Sequence, residues 1–244
     1  ETFDATPYPG ARVAEVRGFD VAKYIGQKGH RNMDRLTKLL VVATRLAFED
    51  AGIKQAGKFV ALGPQQVGIA AATSYGSLES MTELDRVAEL EHPRFLNPAK
   101  FPNVVMNSAA GFASIWEYLR AVNTTVSSGN PGALDAVLWA QIQLATGRAR
   151  AIATGGAEAL SEALYLAYRR MGSLADDRTS TIDKGGAGMR LGEAAAMLVL
   201  ETVEDARSRH ARVLAEVLGV GTAFEPAHSE ALILNPSAVA TERA

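Results

Sequence analysis

Hydrophobic and polar positions along the chain follow two periods, one typical of helices and one typical of buried strands. Apolar residues recur at helical spacing between Asp34 and Gly52, which predicts a helix that begins after Arg31-Asn-Met-Asp34 and stops at the glycine. The compact apolar run within 66–73 predicts a strand buried on both faces. Ser74-Tyr-Gly-Ser77 then predicts a turn into a helix over 78–90.

The same alternation continues to the C-terminal part of the chain. Further helices are predicted over 106–119, 160–167 and 203–210. Further strands are predicted over 150–154, 193–200 and 213–220, with a weak edge strand over 11–16. Loops are predicted over 92–103 and 175–188. Strands that alternate with helices and are separated by glycine turns predict an α/β layered fold with a parallel or mixed sheet. No stretch has the composition of a linker between two domains.

A sharp change of pattern occurs between Thr124 and Ala136. A β-branched run gives way to Ser-Ser-Gly-Asn-Pro-Gly and then to apolar residues at helical spacing, which predicts a strand-to-helix turn. The start of a helix suits a nucleophile of acyl transfer, because it lowers a thiol pKa and offers amides to an oxyanion. The residue at the tip is Asn130, which cannot act as a nucleophile. Ser128 lacks a Gly-x-Ser-x-Gly elbow, and hydrogen bonding at the strand end is its simpler role.

Composition and charge exclude several classes of partner and of active site. The net charge is -2 with a pI near 6.1 and no basic cluster interleaved with aromatic residues, so we expect no nucleic-acid partner. The chain has no cysteine, which excludes disulfides, thiolate metal sites and a cysteine nucleophile. Without a leader or an apolar run near the roughly 20 residues of a membrane span, a cytoplasmic protein is expected.

The histidines and the glycine-rich stretches do not form a recognisable metal or phosphate site. The histidines lack paired metal-ligand spacing, so no metal site is predicted; they are His30, His92, His210 and His228. Gly185-Gly-Ala-Gly188 lacks the Lys-Ser/Thr ending of a phosphate loop, and a flexible turn is preferred. Gly155-Gly156-Ala157-Glu158 follows a predicted strand, where glycines allow close backbone approach and Glu158 can bond backbone amides. A general-base role for Glu158 stays open.

Several short motifs occur in a characteristic order. They are Arg31-Asn-Met-Asp34, Asn107-Ser-Ala-Ala-Gly111, Thr125-Val126 through Asp135, Gly155-Gly-Ala-Glu158, and Asp183 with Gly188, Gly192-Glu193 and Leu198-Val-Leu-Glu201. In this order and spacing they resemble the β-ketoacyl synthases of fatty-acid and polyketide assembly. The resemblance implies a thiolase-like fold, layered α-β-α-β-α in the complete family. This chain, 1–244, would be its N-terminal-type domain and cover mainly the N-terminal half.

The chain departs from the family pattern at positions that include one of the family's catalytic residues. The resemblance puts Asn130 where the family has its active cysteine, so the acyl-enzyme thioester could not form. Pro131 follows at the first turn of the helix, and the Arg-Asp of a family loop becomes Gly186-Ala187. The family's two catalytic histidines belong to a second half, and its first strand would lie upstream of Glu1. Whether the full protein has these segments or is a truncated family member stays open.

Family members without the cysteine are chain-length factors, which pair with an active ketosynthase. The resemblance therefore implies a ketosynthase partner, as heterodimer or homodimer, and an acyl carrier protein whose phosphopantetheine carries the substrate, with no covalently bound cofactor. It implies an acyl pocket that includes Tyr75, Met106 and Asn130, with Tyr75 as a gate that shortens the tunnel or as ordinary core packing. Residues 124–128 would lie at the dimer interface. The motif residues with structural roles would be Gly155, Gly156, Glu158, Asp183, Gly192 and Glu193.

Two alternatives stay open at this point. One is an active enzyme, either a malonyl decarboxylase in which Asn130 stabilises the enolate or an acyltransferase that uses Ser128. The other is a degenerate chain kept only as a structural partner.

Overall fold

The computed structural model describes residues 3–4, 6–174 and 189–223, and these form two compact units. The larger unit comprises 18–159 and 194–216, and the smaller comprises the described parts of 1–17, 160–193 and 217–244. The predicted loop at 175–188, with Asp183, Gly186-Ala187 and Gly188, lies outside the described residues, as does His228.

Helices and strands both occur along the described chain, and from residue 108 onward they alternate. The helices are α1 (Ala22–Ile25), α2 (Arg35–Asp50), α3 (Leu78–Leu90), α4 (Ser108–Trp116), α5 (Gly132–Ala145), α6 (Glu162–Arg170) and α7 (Val203–Ser208). The strands are β1 (Lys54–Gln55), β2 (Lys58–Phe59), β3 (Val67–Ala72), β4 (Asn123–Val126), β5 (Ala151–Glu158) and β6 (Ala194–Glu201).

The larger unit is built on a mixed four-stranded sheet in the order β4-β3-β5-β6, which confirms the predicted α/β class. Strand β3 pairs in parallel with both β4 and β5, whereas β6 runs antiparallel to β5. Ala72 lies opposite Val126 on one side and Gly156 on the other. The parallel strands therefore end at the same edge of the sheet, and the turns that follow them lie side by side.

Helices cover both faces of this sheet. Strand β3 is buried along its whole length, and its successive side chains point to opposite faces. Ile69 and Ala71 join the core formed with α2 and α4, whereas Ala70 and Ala72 join the core formed with α5. Because the residues facing α5 are mostly small, that helix can pack close to the strand ends.

Local capping signals fix the helix bounds that the sequence predicts. The carboxylate of Asp34 accepts the Thr37 amide at 2.8 Å at the start of α2, and Gly52 follows its end with φ +67°. The Ser77 hydroxyl accepts the Ser80 amide at the start of α3. The predictions for α2, α3 and β3 are confirmed.

Three predictions fail in the described residues. The strand predicted over 213–220 does not form; 211–223 has no regular element, and Leu218 is 91% exposed, because no neighbouring strand pairs with this segment. The predicted loop over 92–103 contains short 3₁₀ helices, Pro93–Phe95 and part of Pro98–Val104, since proline fits a first helical turn. The edge strand at 11–16 reduces to one bridge between Ala14 and Gly192.

The glycine motif at 155–158 lies inside β5 rather than after it. The antiparallel partner β6 extends the ladder as far as Glu158, which lies opposite Ala194. Non-local pairing with β6 therefore carries the strand through Gly155 and Gly156, beyond the end that the apolar pattern predicts.

Candidate functional site

The turn between β4 and α5 has the strand-turn-helix form that the sequence predicts. Gly129 has φ +78°, a left-handed conformation that favours glycine, and its carbonyl accepts the Gly132 amide at 3.0 Å. Pro131 stands immediately before α5, and its carbonyl accepts the amides of Leu134 and Asp135. Asn130 lies at the exposed tip of this turn.

The two serines of this turn are both engaged in hydrogen bonds. Ser128 donates its hydroxyl hydrogen to the carboxylate of Asp135, one turn into α5. Ser127 donates to the Ser74 carbonyl at 3.4 Å. The described contacts of Ser128 therefore match hydrogen bonding at the strand end, with Asp135 placed where a carboxylate complements the helix dipole.

Glu158 lies beside the turn that follows β3. Its carboxylate accepts the Thr73 hydroxyl at 3.0 Å and the Ser74 amide at 2.7 Å, and it also accepts the Tyr75 amide. Burial raises the pKa of Glu158, while these hydrogen bonds favour the charged form and lower it. The prediction that Glu158 bonds backbone amides is confirmed.

The glycines next to Glu158 allow close approach of neighbouring backbone. A Cβ on Gly155, which has φ +148°, would stand 2.1 Å from the Ala196 carbonyl oxygen of β6. A Cβ on Gly156 would stand 3.2 Å from the Ala72 carbonyl oxygen and 3.4 Å from Cβ of Ala133 in α5. The role predicted for these glycines, close backbone approach, is confirmed.

The residues predicted for an acyl pocket occupy adjoining positions. Met106 lines a void of about 10 Å³ with Thr73 and Thr125, and its sulfur would lie 3.1 Å from a Cβ on Gly76. Tyr75 is half-buried in the turn after β3, and Asn130 is exposed. Neither residue lines the void, so the structure brings Met106 to the Tyr75 turn and leaves Asn130 on the next turn.

Two further motif residues, Gly192 and Glu193, lie among the described residues of the smaller unit. The Glu193 carboxylate accepts the amides of Val16 at 2.9 Å and Leu160 at 3.4 Å. A Cβ on Gly192 would stand 3.2 Å from Cβ of Ala14. Their described contacts are structural.

Sequence reasoning missed two polar side chains at this edge of the sheet. Ser74 contacts the turn of Asn130, since its hydroxyl donates to the Gly129 carbonyl at 3.3 Å. The Thr125 hydroxyl is buried and has no hydrogen-bond partner among the described residues. The predicted parallel or mixed sheet held a signal for both, because parallel strands bring their following turns together.

In the described part of the chain, no group of three or more His, Cys, Asp or Glu side chains is arranged to hold a metal ion. No helix there is long and apolar enough to cross a membrane.

Comparison with known proteins identifies the family of this strand-turn-helix site and its glycine motif. The family model described as "Beta-ketoacyl synthase, N-terminal domain" matches residues 5–206. The chain belongs to the β-ketoacyl synthase family. Its mixed α/β fold is accordingly that of the thiolase-like N-terminal ketosynthase domain.

A curated relative and two solved structures illustrate the match. The 3-oxoacyl-[acyl-carrier-protein] synthase 2 of Vibrio cholerae serotype O1 is 31% identical over 236 residues, covering 93% of this chain and 56% of the relative. The ishigamide ketosynthase/chain length factor structure has a TM-score of 0.65 at 28% identity, covering 84% of this chain and 54% of that one. A type II polyketide synthase acyl carrier protein in complex with its ketosynthase gives a chain with a TM-score of 0.74 at 22% identity, covering 89% and 61%.

This ketosynthase-family chain spans about half the length of the curated relatives it matches. The matched range includes both the Asn130 turn and the Glu158 motif.

Proposed function

We propose that this chain is part of a non-nucleophilic, chain-length-factor-type subunit that pairs with an active ketosynthase and shapes the acyl pocket during type II polyketide, polyene or fatty-acid elongation. The observation that carries the proposal is Asn130. The strand-turn-helix form suited to a nucleophile is present, and the family pattern assigns the nucleophile position to this asparagine. A neutral amide cannot form the acyl thioester, so the subunit would contribute pocket walls and an interface.

The neighbouring side chains support this assignment. The chain has no cysteine that could replace the missing nucleophile. Ser128 donates its hydroxyl hydrogen to Asp135, whereas a serine nucleophile needs a base that is itself oriented by a third group. The structural match to a ketosynthase/chain length factor at 28% identity agrees with a pairing role.

Exposed surfaces of the larger unit support pairing with another chain. Among the described strands, β4 lies at the edge of the sheet, and one side of its backbone has no strand beside it. Apolar side chains are exposed on α5 at Leu134 and Ile142 and in the segment after α3 at Phe95 and Phe101. Leu134 and Ile142 are eight positions apart and therefore lie on one face of α5, and an exposed apolar helix face agrees with a surface that another protein covers.

The pocket role assigns Tyr75, Met106 and Asn130 to the acyl-chain site. Tyr75 would act as a bulky gate, and Met106 would pack below its turn, next to Gly76. The acyl chain would arrive on the phosphopantetheine of an acyl carrier protein, the carrier in the name of the Vibrio cholerae relative.

Co-production of the full-length protein with a candidate ketosynthase partner tests this function. We expect a stable complex whose products differ in chain length from those of the ketosynthase alone. Tyr75→Ala should lengthen the products, and Tyr24→Ala, which changes an exposed tyrosine of α1, should not. No association together with unchanged products would overturn the proposal. Association with unchanged products would favour a purely structural partner.

The alternative enzyme functions use the same turn and need a separate measurement. Incubation with malonyl- and acyl-loaded carrier protein, followed by mass spectrometry, distinguishes them. A covalent acyl group on Ser128 would support an acyltransferase. Carrier-bound acetyl product that disappears in Asn130→Ala would support a decarboxylase. An unmodified chain without acetyl product is expected for the non-nucleophilic subunit.

A further inference from the structure

We propose that Glu158 is a positioning residue that ties the turn after β3, residues 73–77, to the turn after β4, residues 127–131. Through this tie it would fix where Tyr75 stands relative to Asn130. Its consequence for acyl-chain length rests on the function proposed above. The tie itself is a property of the larger unit alone.

The first part of the tie joins Glu158 to the 73–77 turn. Strand register places Gly156 opposite Ala72, so the Glu158 carboxylate stands beside the residues that follow β3. Its oxygens accept the Thr73 hydroxyl and the Ser74 and Tyr75 amides. Thr73 in turn accepts the Gly76 amide at 3.1 Å. One side chain thereby holds a run of consecutive turn residues.

The second part joins the 73–77 turn to the 127–131 turn through Ser74. The Ser74 carbonyl accepts the Ser127 hydroxyl, and the Ser74 hydroxyl lies within reach of both the Gly129 carbonyl and the Glu158 carboxylate. Because the Ser74 amide is bonded to Glu158, a displacement of Glu158 would move the group that contacts Gly129. Asn130 is the next residue along that turn.

Close packing of the backbone also holds the strand ends next to the two turns. Gly156 brings β5 against Ala72 and Ala133, at the start of α5. A carboxylate is an acceptor-only group with about four acceptor sites, which suits a set of amide and hydroxyl donors. A glutamine would present an NH₂ donor to one of those donors and break part of the set.

Glu193 provides a matched control in the smaller unit. Its carboxylate also accepts two backbone amides, from Val16 and Leu160. Glu193→Gln therefore makes the same chemical change as Glu158→Gln, at a carboxylate whose described bonds go to the amides of Val16 and Leu160.

Hydrogen exchange of the full-length protein tests the tie directly. In Glu158→Gln we expect exchange about tenfold faster in peptides that cover 73–77 and also in peptides that cover 127–132, because bonds to a charged acceptor are lost. Glu193→Gln should speed exchange near Val16 and Leu160 only. Ser74→Ala, which keeps the amide bond to Glu158, should speed exchange at 127–132 and serves if Glu158→Gln does not fold. If amides at 127–132 exchange at the wild-type rate in both Glu158→Gln and Ser74→Ala, the proposed tie is wrong.

Product analysis tests the consequence for chain length. In complex with the ketosynthase, Glu158→Gln should broaden the distribution of product lengths at an unchanged amount of complex, and Glu193→Gln should not. Equal broadening by both variants would reduce Glu158 to a structural role. If the wild-type subunit itself leaves the products unchanged, the proposed function fails, while the exchange experiment still decides on the tie.

Discussion

A cysteine introduced at position 130 would measure what the β4–α5 turn does to a side chain placed there. Because these 244 residues contain no cysteine, Asn130→Cys has one thiol within them, and that thiol can be titrated by the rate of alkylation against pH. We expect its thiol pKa to lie about 1 unit below that of Thr146→Cys, since position 130 is next to the start of α5 and Thr146 caps its end. Equal pKa values in the two variants would show that the turn does not activate its tip residue.

At Gly155 the neighbouring backbone leaves no room for a side chain. Gly155→Ala would drive a Cβ into the Ala196 carbonyl of β6, so we expect the free energy of unfolding to fall by about 2–4 kcal/mol. Gly111→Ala in α4 is the control, because open space surrounds that position and alanine favours helix; it should stabilise by about 0.5–1 kcal/mol. Urea denaturation gives both values, and equal effects would contradict the close approach of β5 and β6.

At the scale of elements, a buried ion cluster ties α2, β1 and the end of α4 together. The Glu117 carboxylate accepts Arg45 Nε at 2.9 Å and Lys54 Nζ at 2.7 Å, and Glu117 is fully buried. Burial is the main cause that lowers the pKa of Lys54, and its bonds to Glu117 oppose that change. Lys54 also lies 4.4 Å from the centre of the Phe59 ring in β2.

Removing the central carboxylate of this cluster should destabilise the larger unit. Glu117→Gln leaves a buried cation, Lys54, and a partly buried one, Arg45, without their anion, so we expect a loss of about 3–5 kcal/mol in the free energy of unfolding. Glu83→Gln, which breaks a surface pair with Lys100, should cost less than about 1 kcal/mol. Thermal or urea unfolding compares the two variants. A loss in Glu117→Gln as small as in Glu83→Gln would mean that the cluster adds little to stability.

The elements predicted best are those whose ends are specified locally. Helix α2 could be bounded because Asp34 and Gly52 are its own capping residues, and β3 because its whole apolar run is buried. The end of β5 and the failure of the strand predicted over 213–220 depend on pairing, which a local pattern does not contain. Periodicity marks residues that could be buried in a strand, whereas a strand forms only beside a partner.

In the candidate site too, local features could be predicted from the sequence and long-range contacts could not. The turn of Asn130 lies within one short stretch, so its form could be predicted from sequence. Glu158 contacts Ser74 across 84 positions, and Lys54 contacts Glu117 across 63, so sequence could at most suggest that Glu158 bonds some amides. Which amides they are follows from the register of β3 and β5.

At the scale of the whole molecule, the raised pKa of Glu158 predicts how stability changes with pH. Burial raises this pKa above its ordinary value of 4.5. Between pH 4.5 and the raised pKa, the folded chain binds a proton that the unfolded chain has released. The free energy of unfolding should therefore fall as pH rises through this window, by at most about 1.4 kcal/mol per pH unit from one carboxyl.

Glu158→Gln removes the carboxyl that titrates. The free energy of unfolding of the variant should therefore fall less steeply with pH than that of the wild type, although its value at each pH also changes. Urea unfolding at steps from pH 4.5 to 7 measures the slope in the wild type, in Glu158→Gln and in Glu89→Gln, a change at an exposed glutamate of α3. We expect Glu89→Gln to keep the wild-type slope. A wild-type slope in Glu158→Gln would mean that its hydrogen bonds to Thr73, Ser74 and Tyr75 fully offset the cost of burying the carboxylate.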